Sequence, residues 1–298
     1  MQNSTVLITG CTTGGIGYSL AKEFAAHQYN VYATSRRIQT MGDLGSIPNI
    51  TLLALDVTSH ESVLAAHAQI SRETNGKLDV LYHNAGYRSL GMAVETSFDE
   101  AFKMFNANLF GIIEMNRIFA DLLIASKGKI VFTGSVSGYT PHPSQSVYNS
   151  SKAAVELYAR TLRIEIKPFG VRVVFVNTAA VNTGMSTARV NLSSGTKPGL
   201  PLTHPQGVLT NELDSKFKYL ESKINEAWVN LEGNTMDPNV YAKIVVAKVT
   251  KKNPPKQIWC GGGAFTVRAV EMLGIHSAYI LAFSKMFGLD KMAPSSKK

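Results

Sequence analysis

The feature that most constrains this chain is an alternation, present from its first residues, of short β-branched apolar runs with helix-length amphipathic segments. The runs predict strands at Thr5–Thr9, Val31–Thr34, Thr51–Leu55, Val80–His83, Lys129–Thr133, Val171–Asn177 and Gln257–Cys260. Between them, helical periodicity predicts Tyr18–Gln28, Ser59–Thr74, Phe98–Ser126, Ser146–Phe169, Asn211–Asn230 and Pro238–Val249. Strand and helix in turn require crossover connections, and crossovers build a parallel sheet covered by helices on both faces. An α/β fold with a doubly wound parallel sheet is expected.

The 298 residues are 45% hydrophobic and 17% charged, which excludes a disordered, collagenous or coiled-coil chain. No Ser/Gly-rich linker, low-complexity tract or internal repeat divides them, so one domain is expected over 1–263, with a C-terminal helical extension, apolar and basic, over 264–298. Two stretches break the rhythm. The segment 184–205 is rich in Ser, Thr, Gly and Pro without a steady period, and with the helix after it (184–234) it reads as a lid or substrate segment. In the tail, the longest uncharged run, Met272 to Ser284, has 13 residues. A bilayer span needs about 20, so an interfacial helix or a hydrophobic wall over a pocket is the expectation.

Thirty basic residues against 21 acidic give a net charge of +9, and the excess lies in the second half: 10 against 11 up to Tyr148, 20 against 10 from Asn149 onward. Lys248, Lys251, Lys252 and Lys256 form its densest cluster. A solvated surface or an anionic membrane explains them better than nucleic acid, because no aromatic residues interleave for base stacking. With two cysteines and no visible secretory signal, the expected setting is reducing and intracellular, on the cytoplasmic side. The seven histidines show no HExxH pair, and Cys11 and Cys260 are too far apart for a sequence-local zinc site; no metal is expected.

After the first strand come Thr9-Gly10-Cys11-Thr12-Thr13-Gly14-Gly15-Ile16-Gly17 and then a helix. Glycines at such a turn let the backbone approach a pyrophosphate, whose charge the free N–H groups and dipole of the helix start favour. Placed here, the turn predicts a Rossmann-type nucleotide site, with Gly10, Thr12, Gly14, Gly15, Ile16 and Gly17 as its cradle. The second strand ends in Ser35-Arg36-Arg37. An NAD enzyme carries an acid at this place to hold the ribose 2′-hydroxyl, whereas arginines grip a 2′-phosphate, so NADP is the expected cofactor.

Six motifs in order now carry a resemblance: the Gly-rich turn, Asp56-Val57, His83-Asn84-Ala85-Gly86, Asn108, Ser135, and Tyr148-x-x-x-Lys152. Over Thr5 to Thr183 the chain resembles the short-chain dehydrogenase/reductase family. Taken singly, each motif has a plain structural explanation: a surface Tyr/Lys pair, a turn serine, an asparagine that kinks its helix. The resemblance implies more. Tyr148 would exchange a proton with the substrate oxygen, and Lys152, one helical turn on and on the same face, would stabilise the phenolate and bind the nicotinamide ribose. Ser135 would hold the substrate carbonyl, and Asn108 a water linking Lys152 to solvent. Asp56 and Val57 would meet the adenine, Asn84, Ala85 and Gly86 would support the central strand near its ribose, and Val181 and Thr183 would contact the nicotinamide amide.

Two departures stand out. The Gly-rich turn has one residue more than Thr-Gly-x-x-x-Gly-x-Gly, leaving open which of Gly14 and Gly15 lies under the phosphates. Thr178-Ala179 replaces the usual Pro-Gly after the sixth strand. Within the family, Gly14-Gly15-Ile16-Gly17, Ser35-Arg36-Arg37, Tyr82-His83-Asn84-Ala85-Gly86, Phe132-Thr133-Gly134-Ser135 and Ile258-Trp259-x-Gly261-Gly262 look like fungal NADPH-dependent 1-acyldihydroxyacetone-phosphate reductases. That resemblance implies a lipid ketone and peripheral association with endoplasmic reticulum or lipid droplets. Fungal polyketide or terpenoid ketoreductases share the core and remain the alternative. A non-catalytic NADPH sensor is the competing class, opposed by the full Asn108, Ser135, Tyr148 and Lys152 set. The expected partner is a small ketone or alcohol, in a homodimer or homotetramer as the family commonly forms; His142 is an expected solvated loop residue near the pocket mouth.

Overall fold

A computed structural model describes residues 4–183 and 215–291. Seven parallel strands, β1 (Thr5–Thr9), β2 (Asn30–Ser35), β3 (Ile50–Ala54), β4 (Val80–His83), β5 (Lys129–Thr133), β6 (Arg172–Thr178) and β7 (Gln257–Cys260), form one sheet in the order β3-β2-β1-β4-β5-β6-β7. The doubly wound parallel sheet read from the sequence is thus present, each strand within a residue of its expected bounds.

Side chains alternate across a strand, and here the alternation divides the core in two. Val6, Ile8, Val31, Ala33, Tyr82 and Val176 face a layer made by α1 (Ile16–Ala26) and α7 (Pro238–Val249). Leu7, Leu81, Phe132 and Phe175 face the other layer, under α2 (His60–Glu73), α4 (Gly111–Ser126) and α5 (Ser146–Ile166). Buried on both faces, the central strands must read as unbroken apolar runs. Local chemistry sets helix starts: the Ser59 hydroxyl accepts from Ser62 N–H, and the Asp237 carboxylate from the Asn239 and Val240 N–H groups, with Pro238 at the first helical position.

The single helix expected over Phe98–Ser126 is instead three pieces: α3 (Phe98–Phe105), a π-helical turn (Asn106–Phe110) and α4. The physical reason is Asn108, whose amide leaves the helix to bond the backbone of Tyr87. A wider turn of this kind accommodates one extra residue inside a helix, and hydrophobic periodicity alone does not register it.

Residues 184–214 of the expected lid lie outside the described residues; from Ser215 the chain is described and forms α6 (Glu221–Glu232). After β7 come α8 (Ala264–Leu273) and α9 (His276–Met286). A third apolar cluster joins Met92, Leu220, Ile224 and Trp228 to Tyr279, Phe283 and Phe287, so α9 packs back onto α6. Among the described residues no helix is long and apolar enough to cross a membrane.

His83, at the end of β4, is buried, stacks on Phe132 with ring centroids 5.0 Å apart, and meets Asn116 Oδ1 through Nε2 at 2.8 Å. Burial pushes its imidazole down to about 4, against the small opposing effect of Asn116. A group held neutral in the folded state but free to charge when unfolded contributes stability above its unfolded value near 6.5, and that contribution drains away as pH falls toward 4. Between pH 7 and 5 the His83 contribution should fall by about 2 kcal/mol. Urea unfolding at both pH values should show it, and His83→Asn should shrink the pH difference by that amount. An identical pH dependence in parent and variant would exclude a neutral buried His83.

Candidate active site

In the strand order the neighbours of β1 and β4 lead away in opposite directions, so the crevice above their carboxyl ends is the topological switch point, where such sheets bind ligands. Two side chains hold the crevice's rim. The Thr9 hydroxyl accepts from the N–H groups of Asn84 (2.9 Å) and Ala85 (3.0 Å). Asn84 Nδ2 donates to the carbonyls of Thr9 (3.0 Å) and Gly10 (2.9 Å), while its Oδ1 accepts from the Thr133 hydroxyl at 3.3 Å. The ends of β1, β4 and β5 are thereby fixed to one another.

At the nucleotide end, Gly15 is the N-cap of α1 and its N–H bonds back to the Thr12 carbonyl at 3.0 Å. The N–H groups of Ile16, Gly17 and Tyr18 that follow have no intrahelical acceptor and point toward the helix mouth, where an anion is favoured. Gly17 cannot carry a side chain: a Cβ there would lie 2.3 Å from the Gly10 carbonyl oxygen and 2.5 Å from Asn84 Nδ2. The added residue is Gly14, in a left-handed conformation (φ 76°) with open space around it. Beside it, Thr13 donates through both its N–H (2.9 Å) and its hydroxyl (3.1 Å) to the Thr40 carbonyl, tying the longer turn to the loop after β2. Gly15 and Gly17 therefore play the helix-start parts and Gly14 takes up the slack.

Ser35 is buried and pairs hydroxyls with Thr40 at 2.8 Å, whereas the Arg36 and Arg37 side chains are exposed and bond no other described residue. Two free guanidinium groups at the carboxyl end of β2 fit a 2′-phosphate. Asp56 Oδ1 accepts from Thr58 N–H (2.9 Å) and hydroxyl (2.7 Å), leaving its other oxygen available, and Val57 lies with its carbonyl against Gly111 at the start of α4.

At the chemical end, Tyr148 and Lys152 lie one turn apart on α5, 8% and 5% exposed, with Lys152 Nζ 5.7 Å from the tyrosine ring centroid. Lys152 Nζ donates to the Thr133 carbonyl at 3.3 Å. An ammonium has three donors, so two N–H groups of this buried cation stay available for a ligand or water, and an uncompensated buried charge makes such a partner strongly favourable. Asn108, fully buried, accepts from Tyr87 N–H (2.7 Å) and donates to the Tyr87 carbonyl (2.9 Å) and the Ser151 hydroxyl (3.0 Å). Both amide N–H groups are spent, so a water at this side chain meets only the second lone pair of Oδ1. Gly86 lies beside both residues: a Cβ there would be 3.3 Å from Asn108 Oδ1 and 3.7 Å from Lys152 Nζ. Ser135 caps a short 3₁₀ turn, its hydroxyl accepting from Ser137 N–H at 3.1 Å and keeping its own proton to donate outward.

The loop after β6 is pinned on two sides. Val181 is buried and bridges to Met236, and Ala180 pairs with Gly262. The threonine that replaces proline has a use: its hydroxyl meets the buried Tyr241 hydroxyl at 2.7 Å, and Ala179 N–H donates to the Cys260 carbonyl at 2.8 Å. Thr183, the other residue expected at the nicotinamide, follows two positions after Val181. His142 departs from expectation. It is not a solvated loop residue but meets the Thr140 hydroxyl at 2.9 Å and packs on Phe283 and Trp228 with centroids 4.7 and 5.6 Å away. Burial, aided by the Arg88 charge, pushes its imidazole down to about 4. Sequence reading missed Thr9, Thr133 and Ser151, which position the expected residues; their nearness in sequence to Gly10, Ser135 and Lys152 was the one available signal.

Among the described residues, no group of three or more His, Cys, Asp or Glu is placed to hold a metal ion. Comparison with known proteins agrees with the geometry. Residues 4–192 match the family model described as short chain dehydrogenase. The chain is similar to the short-chain dehydrogenase fogD of Aspergillus ruber, 33% identical with 100% of this chain and 98% of that one covered. It is also similar to the NADPH-dependent 1-acyldihydroxyacetone phosphate reductase of Schizosaccharomyces pombe, 33% identical over 91% of this chain and 90% of the relative. A short chain dehydrogenase of Burkholderia cenocepacia solved in complex with NADP shares the fold, with a TM-score of 0.69 at 20% identity over 93% of this chain and 98% of that one. With the sheet order, the switch-point crevice and a family match over more than half its length, the chain belongs to the short-chain dehydrogenase/reductase family of oxidoreductases.

Proposed function

We propose that this oxidoreductase is an NADPH-dependent carbonyl reductase of an apolar or lipid-like ketone. The observation that carries the reading is the buried Tyr148 and Lys152 pair on α5, at the carboxyl edge of the sheet with Ser135. When bound, NADPH supplies the hydride that reaches the carbonyl carbon. The residues do the rest. Ser135 donates a hydrogen bond to the ketone oxygen and orients it. Tyr148 gives its hydroxyl proton to that oxygen, so ketone, hydride and proton together become an alcohol. Lys152 stabilises the phenolate left behind and holds the nicotinamide ribose through its spare N–H groups. A water at Asn108 Oδ1 returns the proton from solvent. Arg36 and Arg37 grip the 2′-phosphate, Asp56 the adenine, and the α1 mouth the pyrophosphate. The S. pombe relative is named as NADPH-dependent, and NADP fills the B. cenocepacia structure, which supports the choice of cofactor.

An apolar substrate is supported by the buried aromatic cluster that backs the loop between Ser135 and Tyr148, where Trp228 Nε1 donates to the Ser144 hydroxyl at 2.9 Å and Phe283 packs on His142. The S. pombe relative reduces an acyl lipid by its name, and 1-acyldihydroxyacetone phosphate is the first candidate. A polyketide or terpenoid ketone is the second reading, since an equally similar relative is named only as a short-chain dehydrogenase and its name points to no lipid. We also propose peripheral membrane contact, through exposed Leu273, Ile280 and Leu281 around α9. Flotation of the full chain with anionic liposomes, lost on Ile280→Asp/Leu281→Asp, tests it; a chain that never floats rejects it.

Two outcomes test the enzyme itself. Tyr148→Phe should lower ketone-dependent NADPH oxidation by about 10²- to 10⁴-fold with cofactor affinity kept. Unchanged turnover would reject Tyr148 as the acid. Arg36→Ala/Arg37→Ala should weaken NADPH by roughly tenfold or more while leaving NADH nearly unaffected, as the loss of charged hydrogen bonds to one phosphate requires. Titration of cofactor fluorescence reads both, and equal losses would remove the 2′-phosphate assignment.

A further inference from the structure

Away from the crevice, the open edge of the sheet carries a groove of about 830 Å³ along β7, between α5 and α8. Its size falls within the range of small-molecule sites, roughly 300–1,000 Å³. Tyr139 and Trp259, with ring centroids 5.4 Å apart, line it together with Phe265 and Met272. Phe265 and Met272 are 72% and 77% exposed, so a broad apolar surface faces solvent.

Charge decides what fits. Arg160, Lys248, Lys251 and Arg268 stand around the groove, and none forms a hydrogen bond or ion pair with another described side chain. Glu156 and Glu271 also line it: Glu156 meets the Arg160 charge and Gln257 Nε2 at 3.5 Å, and Glu271 lies 3.5 Å from His276 Nδ1. Neighbouring Arg163 is likewise spent, on the backbone carbonyls of Val173 and Lys256. Four cations against two carboxylates, with Arg160 opposed by Glu156, leave an excess of positive charge at Lys248, Lys251 and Arg268 over an aromatic and aliphatic floor, which is complementary to an anionic group carried on an apolar body.

We propose that this groove is a second binding site, distinct from the catalytic crevice, for a small amphipathic anion such as a fatty carboxylate or an alkyl phosphate. The apolar body lies on Trp259, Tyr139, Phe265 and Met272, and the anion is held by Lys248, Lys251 and Arg268. The site is independent of what the crevice reduces: its floor and rim contain none of the residues assigned there.

Calorimetry with dodecyl phosphate, dodecyl maltoside and inorganic phosphate tests it on the full chain, below the micelle concentration. Dodecyl phosphate should bind saturably, and Lys251→Glu/Arg268→Glu, both exposed positions, should weaken it about tenfold while leaving ketone-dependent NADPH oxidation unchanged. Equal affinity in parent and variant places the ligand elsewhere and overturns the proposal. Maltoside binding as tight as dodecyl phosphate would make the groove merely apolar, and inorganic phosphate binding as tight would make it a bare anion site; either result overturns it. So does a parent chain whose dimer, by sedimentation, is dissociated by the same double variant without any dodecyl phosphate binding. A second measurement needs no charge change: the chain has two tryptophans, so Trp228→Phe leaves Trp259 alone, and 12-bromododecanoate should quench it. An unquenched Trp259 overturns the proposal.

Discussion

Lys152 brings a positive charge into a place almost closed to water, and the surrounding chain gives it one carbonyl and the face of one ring. A buried ammonium so thinly compensated is costly, and the cost favours a partner on its remaining N–H groups. Asn108 commits both amide N–H groups and one lone pair of Oδ1 to Tyr87 and Ser151. Ser151 in turn donates to the Tyr148 carbonyl at 2.8 Å, within the first turn of the same helix. The cation is therefore carried on a helix whose first turn is held from the side, and the N–H groups left over are the ones a ribose or a water can use. Polar networks that are satisfied everywhere but at one place direct binding to that place.

The same economy holds at the strand ends. Thr9 and Asn84 leave few polar groups free at the β1, β4 and β5 tips, so the crevice floor is rigid while its free donors lie at the α1 mouth and on Arg36 and Arg37. A dinucleotide needs that distribution: a fixed distance between phosphate cradle and reacting end, with open donors at both.

How much of this was legible in the sequence follows from the range of each interaction. The strands were legible because burial on both faces forces continuous apolar runs at positions such as Val6-Leu7-Ile8 and Val173-Val174-Phe175. Tyr148 and Lys152 were legible because their spacing is local to one helix. The break at Asn106–Phe110 was not, since it depends on the Tyr87 backbone, 21 residues away in the chain. Nor was the function of Thr178, which depends on Tyr241, 63 residues further on. His142 was misread for the same reason: its solvent exclusion comes from Trp228 and Phe283, both supplied by helices whose packing no periodicity specifies.

That last case bears on how catalysis and selectivity are joined. The loop from Val136 to Gln145 separates Ser135 from the helix bearing Tyr148, so its shape sets the distance between the two hydroxyls. The loop is held from outside by late parts of the chain: Trp228 bonds Ser144, Phe283 packs on His142, and Ser144 O accepts from Gly91 N–H at 2.9 Å. Buried residues of α6 and α9 thus help to keep serine and tyrosine in register. A change in α6 or α9 that removes these contacts would also loosen the loop between Ser135 and Tyr148, and with it any catalysis that depends on their register.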